Sequence, residues 1–403
     1  MRRVVVTGIG IVSALGIGRE AFWQALCGKA IPNASAGGIH SEGIQPAAKH
    51  ARTMGRIARF AVWASRLALE DGGIELRSLK ADEVGVFLGT NLDDVNLLGI
   101  CRAFVAAGAD PATGEPDLTR FARVALETLH PFDYLRALSN MPAAHVAIRG
   151  GARGVNCSYV SHGMSGVEAI GEAYLAVRDG IVEGALAGGT DSWLSPFGVW
   201  RRGILGGVPS RRSAPFSSQR ASPGLGEGAA ILLLEPLEAA RSRNARIYGE
   251  VSGYAKALEA EAFPNSCRGA GLARCIRWAL ERAGLSPGDV DYVSAHGEGS
   301  VEGDLIEARA LREVFDADGF PPVRAMKGVT SHLGAASGAV EAAATLLAIH
   351  RQWLPPCPDA EELDPKFEFG GMSPYGGSAS IRSGLNVAFH RMGLSAALVF
   401  RHA

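Results

Sequence analysis

Two histidines and a lysine carry the residue types with which a protein can manage negative charge at a carbonyl. His296 follows the apolar run 290–295 and precedes Gly297 and Gly299, so it reads as the end of a strand on a glycine-rich loop facing a cleft. His332 lies in Thr330-Ser331-His332-Leu333-Gly334, between a strand expected over 323–330 and an apolar helix expected over 335–350. Taken singly, His296 is a turn histidine and His332 a capping or core histidine. Held at equivalent ends of parallel elements, the two would aim imidazole N–H donors at one carbonyl oxygen, the arrangement that stabilises an oxyanion or enolate. Lys327 reads either as a surface lysine or as the partner of Asp304 or Glu307 in a buried ion pair that fixes the site.

A nucleophile for that donor pair has a natural place in this chain, but no side chain stands there. Residues 155–179 read as a strand, a sharp turn through Ser161-His162-Gly163, and a helix whose Val167, Ile170, Tyr174 and Val177 share one buried face. The N-terminus of such a helix favours an anion, which is where a thiolate or alkoxide would sit. The turn carries Gly163. Ser161, Ser165 and Cys157 are close enough in sequence to be considered as substitutes, and His162 either projects into the space left by Gly163 or packs under the turn. A serine-hydrolase elbow is disfavoured, because Gly163-Met164-Ser165-Gly166-Val167 lacks the second outer glycine.

The elements that must position these residues are those of an α/β protein. Strands are expected over 3–9, 84–88, 185–189, 229–235, 245–254, 385–389 and 396–400, and helices over 19–27, 57–69, 142–148, 270–283 and 304–315. Residues 32–51, 108–116 and 203–228 read as loops. The run Gly224-Leu225-Gly226-Glu227-Gly228 suggests backbone that needs glycine conformations; a dinucleotide fingerprint is a weak reading, since no suitable strand precedes it. Residues 160–177 echo 330–349, each a strand, a Ser-His turn and a Val-Glu-Ala helix. The echo implies a duplicated unit whose small-faced central helices pack closely at a pseudo-twofold axis.

The 403 residues suffice for two domains, and 47 % hydrophobic content supports a large core. A net charge of −1 gives no general attraction to nucleic acid or anionic membrane, and no apolar run is long enough to span a bilayer. The start, Met1 to Gly16, reads as a strand entering a glycine turn and not as a signal peptide. The 6 cysteines lack paired spacing and read as reduced thiols of a cytoplasmic protein, without a zinc site. Arg201, Arg202, Arg211, Arg212 and Arg220 either form a solvated loop or receive an acidic partner.

Several segments together resemble the β-ketoacyl-acyl-carrier-protein synthases of the thiolase-like superfamily. They are the opening residues 2–16, Arg66-Leu67-Ala68-Leu69-Glu70-Asp71, Ser139-Asn140-Met141-Pro142-Ala143-Ala144 and Leu225-Gly226-Glu227-Gly228-Ala229. The most specific are Ser294-Ala295-His296-Gly297, with Asp304 and Glu307 after it, and the run from Lys327 through His332 to Ala336. The resemblance implies a thiolase-like, duplicated αβαβα layered fold, with an N-terminal half over 1–239 and a C-terminal half over 240–403. It implies catalytic roles for His296, His332 and Lys327, and it places the family's nucleophilic cysteine at Gly163. Substrate contacts fall on Glu298 and Ser300, where the family has a threonine-rich run, on Phe389 and Arg391 of the gating loop, with Arg391 in the aromatic's place, and on His162.

The substrate would be an acyl or malonyl group on the phosphopantetheine arm of an acyl carrier protein, with no bound cofactor and no metal. The protein partner would be a ketosynthase homologue in a hetero- or homodimer. Without the thiol, the expected role is the chain-length-factor-like subunit of an active ketosynthase in a type II fatty-acid or polyketide pathway. Malonyl-carrier-protein decarboxylation by the histidine pair stands close behind, and an acyltransferase with a substitute nucleophile follows. Retention of His296 sets the chain apart from such partner subunits, which usually lose it.

Overall fold

Residues Val4–Ser13 form a strand with no exposed member, the pattern of a strand covered on both faces. This strand, β1, lies at the middle of the sheet. The computed structural model describes residues 1–28, 39, 52–74, 81–91, 95–108, 113–206, 210, 212–260, 267–315, 319–367 and 371–403. Its further main strands are β2 (Val84–Gly89), β3 (Asn156–Tyr159), β4 (Gly184–Ser192), β5 (Glu227–Pro236), β6 (Gly249–Leu258), β7 (Tyr292–Ala295), β8 (Val323–Ala325), β9 (Ser383–Phe389) and β10 (Leu394–Arg401).

The strands are ordered β3-β2-β4-β5-β1-β6-β10-β9-β7-β8. Reading outward from the centre, one half runs first, fifth, fourth, second, third strand, and the other half repeats that order. The halves join where Val4, Val5 and Val6 pair antiparallel with Val251, Glu250 and Gly249. The chain is therefore a duplicated α/β unit, as the internal echo predicts.

Helices complete the layers. Helix α1 (Arg56–Gly72) covers β1, β4 and β5, and ends at Gly73 in the left-handed region (φ +64°). Helices α2 (Ser165–Arg178), α3 (Pro196–Gly206), α4 (Ala270–Ala283), α5 (Val301–Phe315) and α6 (Ser337–Arg351) follow. Helix α4 lies on β6 and β10, whereas α2 and α6 touch strands of both halves and form the middle layer. Their close approach depends on small residues. A Cβ on Gly166 would lie 2.8 Å from the Ala335 carbonyl oxygen, and one on Gly338 would lie 2.5 Å from Val167 Cγ2.

The repeat is displaced by two residues from the register that its sequence suggests. Ser165 Oγ accepts the Ser161 N–H at 2.8 Å, and Ser337 Oγ accepts the Leu333 N–H at 2.8 Å. These serines, each four residues beyond its donor, are the true equivalents. His162 (φ +56°) thus corresponds to Gly334 (φ +58°), not to His332. Both positions are left-handed, a conformation that glycine adopts freely and histidine only at a cost.

Three other expectations change. Residues 327–330 form a helical turn instead of continuing a strand, because β8 ends at Ala325. Helix α3 overlaps the start of the expected loop over 203–228. Helices Leu97–Ala107, Leu118–Thr128 and Asp133–Ala137 were not anticipated; the second has no fully buried residue and sets its half-buried face, with Phe121, against Phe104 of the first. Of the loop expected over 32–51 only Ile39 is among the described residues, and of that over 108–116 only 108 and 113–116.

The packing of α2 on α6 yields a prediction. Gly166→Ala is expected to destabilise the fold by about 1–3 kcal/mol, because the new methyl meets backbone that cannot step aside. Gly203→Ala, in an exposed stretch of α3 with open space at its Cβ, is expected to be neutral or to stabilise by about 0.5–1 kcal/mol. Urea unfolding of the two variants checks both outcomes.

Candidate active site

His296 follows the last residue of β7 and is 2 % exposed. Carboxylates from α5 hold the loop it opens. Glu307 accepts the N–H groups of His296 and Gly297 at 2.6 and 2.7 Å, and Asp304 accepts those of Gly299 and Phe216 at 3.0 and 2.7 Å. Burial raises the carboxyl of Glu307 to about 7 and that of Asp304 well above its ordinary range. Neither carboxylate is the ion-pair partner of Lys327. The fully buried Lys327 ammonium instead meets Glu341 of α6 at 2.6 Å. It also donates to the His296 carbonyl oxygen and, at 3.2 Å, to His296 Nδ1.

His332 is held by a second set of groups. Its Nδ1 accepts the Gly334 N–H at 3.0 Å. Trp193 stacks on the ring at a centroid distance of 5.0 Å, and its indole N–H donates to Asp191 at 2.8 Å. The fully buried Asp191 also accepts the Ala335 N–H at 2.8 Å, which ties the loop after His332 to the end of β4. The glycine run pairs with His332 itself: its N–H donates to the Gly224 carbonyl at 2.8 Å and its carbonyl accepts the Gly226 N–H at 3.0 Å. Gly224, Gly226 and Gly228 all lie outside the left-handed region. Two of them are needed for closeness: a Cβ on Gly224 would lie 2.8 Å from the Ser213 backbone nitrogen, and one on Gly228 would lie 2.7 Å from the Val12 carbonyl oxygen.

These contacts fix the tautomers. An ammonium and a backbone N–H can only donate, so both Nδ1 atoms are acceptors and each neutral ring carries its proton on Nε2. Burial, with the Lys327 charge next, holds both imidazoles well below the usual histidine range, so both are neutral donors near pH 7. The ring centroids lie 5.7 Å apart at 81°. A Cβ on Gly163 would lie 3.2 Å from His332 Cε1 and 3.4 Å from His296 Cε1, so the turn faces both rings at once.

Glu298 approaches the pair closely enough that one ligand atom from each of His296, Glu298 and His332 falls within 4.8 Å of the others. A metal there would need a lone pair on Nε2, and the donors at Nδ1 leave N–H in that position. The trio therefore reads as two donors and an acceptor.

The remaining predicted residues divide into two groups. Phe389 lies against the edge of His296 at 5.0 Å, and His162 stacks face to face on His390 at 4.6 Å. Burial and neighbouring cations push His390 down to about 3. The loop thus turns His390 toward the site, while Arg391 sits at the rim, 3.9 Å from the exposed Glu302. Ser300 donates to Glu298 and accepts the Gly303 N–H at 3.0 Å, capping α5. The candidate substitute nucleophiles are engaged elsewhere: Ser165 Oγ donates to the His162 carbonyl at 2.8 Å, Ser161 Oγ donates to Glu168 at 2.6 Å, and Cys157 packs against the core from β3.

Among the described residues, the arginines of 201–220 are mostly drawn into the protein. Arg202 and Arg220 are buried, with Arg220 paired to Asp364 at 2.7 Å, and Arg201 lies over Trp193 at 5.4 Å. Arg212 is half-exposed and paired with Asp359, and Arg211 lies outside the described residues.

Sequence reasoning missed Asp191, Trp193, Glu341 and His390. Of these, Glu341 left a visible signal, a carboxylate within an otherwise apolar helix. The role of Asp191 appears only when β4 and the loop after His332 are brought together.

Comparison with known proteins places the whole chain beside one family. Residues 40–240 match the beta-ketoacyl synthase N-terminal domain and residues 248–361 its C-terminal domain. The chain is 32 % identical over 388 residues to 3-oxoacyl-[acyl-carrier-protein] synthase 2 of Synechocystis sp., covering 91 % of this chain and 89 % of the relative. It is 33 % identical over 391 residues to a putative polyketide beta-ketoacyl synthase 1 of Streptomyces virginiae, with the same coverage of each. Among solved structures it resembles the ishigamide ketosynthase/chain length factor (TM-score 0.85, 26 % identity, covering 100 % of this chain and 99 % of that one). It also resembles a type II PKS acyl-carrier protein in complex with its ketosynthase bound to the hexaketide (TM-score 0.83, 26 % identity, 100 % of each chain).

The depressed imidazole pKa values predict that neither His296 nor His332 titrates at the ordinary histidine value of about 6.5, both doing so only at lower pH. NMR of the ring Cε1–H groups checks this. Because both folded-state values lie below the unfolded value of about 6.5, protonation favours unfolding, and this contribution to stability is lost as pH falls below about 6.5. Glu307 and Glu341, each raised to about 7, act in the opposite sense, so the rings must be followed individually.

Proposed function

We propose, for a chain that belongs to the β-ketoacyl synthase family, that its two imidazoles decarboxylate a malonyl group carried on an acyl carrier protein. The protein is a ketosynthase-like member of the type II fatty-acid and polyketide group, with the thiolase-like fold. The observation that carries the proposal is the pair of imidazoles, each left with its proton on Nε2 by an acceptor role at Nδ1, whose rings both border the Gly163 turn. The malonyl thioester carbonyl would accept from His296 and His332. As the bond to the carboxylate breaks, its electron pair enters an enolate that the two donors stabilise; CO₂ leaves, and a proton from water completes the acetyl thioester. Lys327 acts through His296 as a positioning residue.

Gly163 stands where the family's nucleophile belongs, so no acyl group is taken up covalently. The backbone does not require glycine there, since Gly163 lies outside the left-handed region. The expected location is the cytoplasm, the phosphopantetheine arm arrives on its carrier, and the two halves divide near residue 240.

A second reading is the partner subunit of a cysteine-bearing ketosynthase, which shapes its partner's tunnel. It is favoured by the likeness to the ishigamide ketosynthase/chain length factor. The intact donor pair puts decarboxylation ahead, reversing the order suggested by the sequence.

Incubation with malonyl-carrier protein, followed by intact mass, is expected to show acetyl-carrier protein. Removing one donor, in His296→Ala or His332→Ala, is expected to lower the rate about 10²–10³-fold. No turnover, together with co-purification of a cysteine-bearing synthase, would favour the partner reading. An acyl adduct on Ser161, Ser165 or Cys157 would overturn both. Gly163→Cys is expected to gain a covalent acyl group from acyl-carrier protein, because a Cβ at this position needs its neighbours to yield by only a few tenths of an ångström.

A further inference from the structure

Arg202, on α3, is 5 % exposed. It has no hydrogen bond or ion pair among the described residues, and its Nε is buried without a partner. Its guanidinium carbon lies 5.6 Å from the Trp193 ring centroid, and that ring stacks on His332. The Trp193 stack therefore sets Arg202 one ring away from His332, and its charge acts in the same sense on His296, His332 and His390. Glu298 is the nearby anion, but it is engaged with Ser300 and does not pair with Arg202.

An arginine keeps its charge in proteins, and a buried charge without a counter-ion costs several kcal/mol. Such a group is costly in the free protein and becomes favourable once an anion arrives. Planar recognition by a guanidinium suits a carboxylate, which can accept two parallel N–H bonds. Trp193, which Arg202 covers, links this cation to the ring that would receive the thioester carbonyl.

We propose that Arg202 is a carboxylate-binding residue that makes this cavity selective for acyl thioesters bearing a free carboxylate. The inference rests on the reading of the site as one for carrier-arm thioesters. The carboxylate could belong to a malonyl unit or to the far end of a longer dicarboxylic acyl chain, and ligands of different length distinguish the two.

The test measures binding of malonyl-pantetheine and glutaryl-pantetheine against the matching thioesters in which the carboxylate is replaced by a carboxamide. The carboxylates are expected to bind the native protein about tenfold or more tightly than their amides, as a charged hydrogen bond would provide. Arg202→Met is expected to abolish that preference and Arg202→Lys to retain part of it. Stronger preference with malonyl than with glutaryl places the carboxylate of the short unit at Arg202; the reverse places the chain end there. Arg202→Met is also expected to melt no lower than the native protein, since it removes an uncompensated charge, whereas a purely structural arginine would show a fall. Equal binding of acids and amides, or a preference that survives Arg202→Met, overturns the inference and leaves the thioester reading standing. Failure of all four thioesters to bind overturns the thioester reading and this inference with it.

Discussion

The site depends on a buried ammonium–carboxylate pair. Lys327 and Glu341 are enclosed where the helical turn after β8 meets the central helix α6. Removing one partner of such a pair leaves an uncompensated charge, at a cost of about 3–5 kcal/mol, so the pair is a poor source of stability and a strong constraint on geometry. Here it is spent on orientation. The ammonium reaches both the carbonyl and the Nδ1 of His296, fixing where that ring sits and which nitrogen carries its proton.

The second histidine is fixed by different means to the same end. A backbone N–H takes the place of the ammonium, and the stacked Trp193, tied through Asp191, takes the place of the buried pair. The two anchors come from opposite halves of the duplicated sheet: Asp191 lies at the penultimate position of β4 in the first half, while Lys327 follows β8 in the second. The imidazoles meet because α2 and α6 pass within glycine contact of each other, which also brings the Gly163 turn against both rings.

The groups gathered near this pair are polar. His162 and His390 stack against each other, Arg202 is buried without a counter-charge, and Glu298 stands beside the donors. Each of these groups carries a desolvation cost that an apolar side chain would avoid.

The sequence by itself determined the class of the protein and the identity of its donors. Ten buried residues in β1, the regular periods of α1 and α4 and the echo between two segments follow from local pattern, which each residue carries in its own neighbourhood. His296, His332 and Lys327 were legible because each lies in a short motif with its own turn chemistry. What sits around them was not. Glu341 as the partner of Lys327, the glycine run as a backbone mate of His332 and His390 as the inward residue of its loop are contacts between segments far apart in the chain. Only the tertiary structure decided them, because a buried charge takes whichever counter-charge the packing delivers. The two-residue displacement of the repeat has the same origin: the matching Ser-His letters are a local likeness, while the serine that opens each central helix and accepts the N–H four residues before it is set by the geometry of the turn.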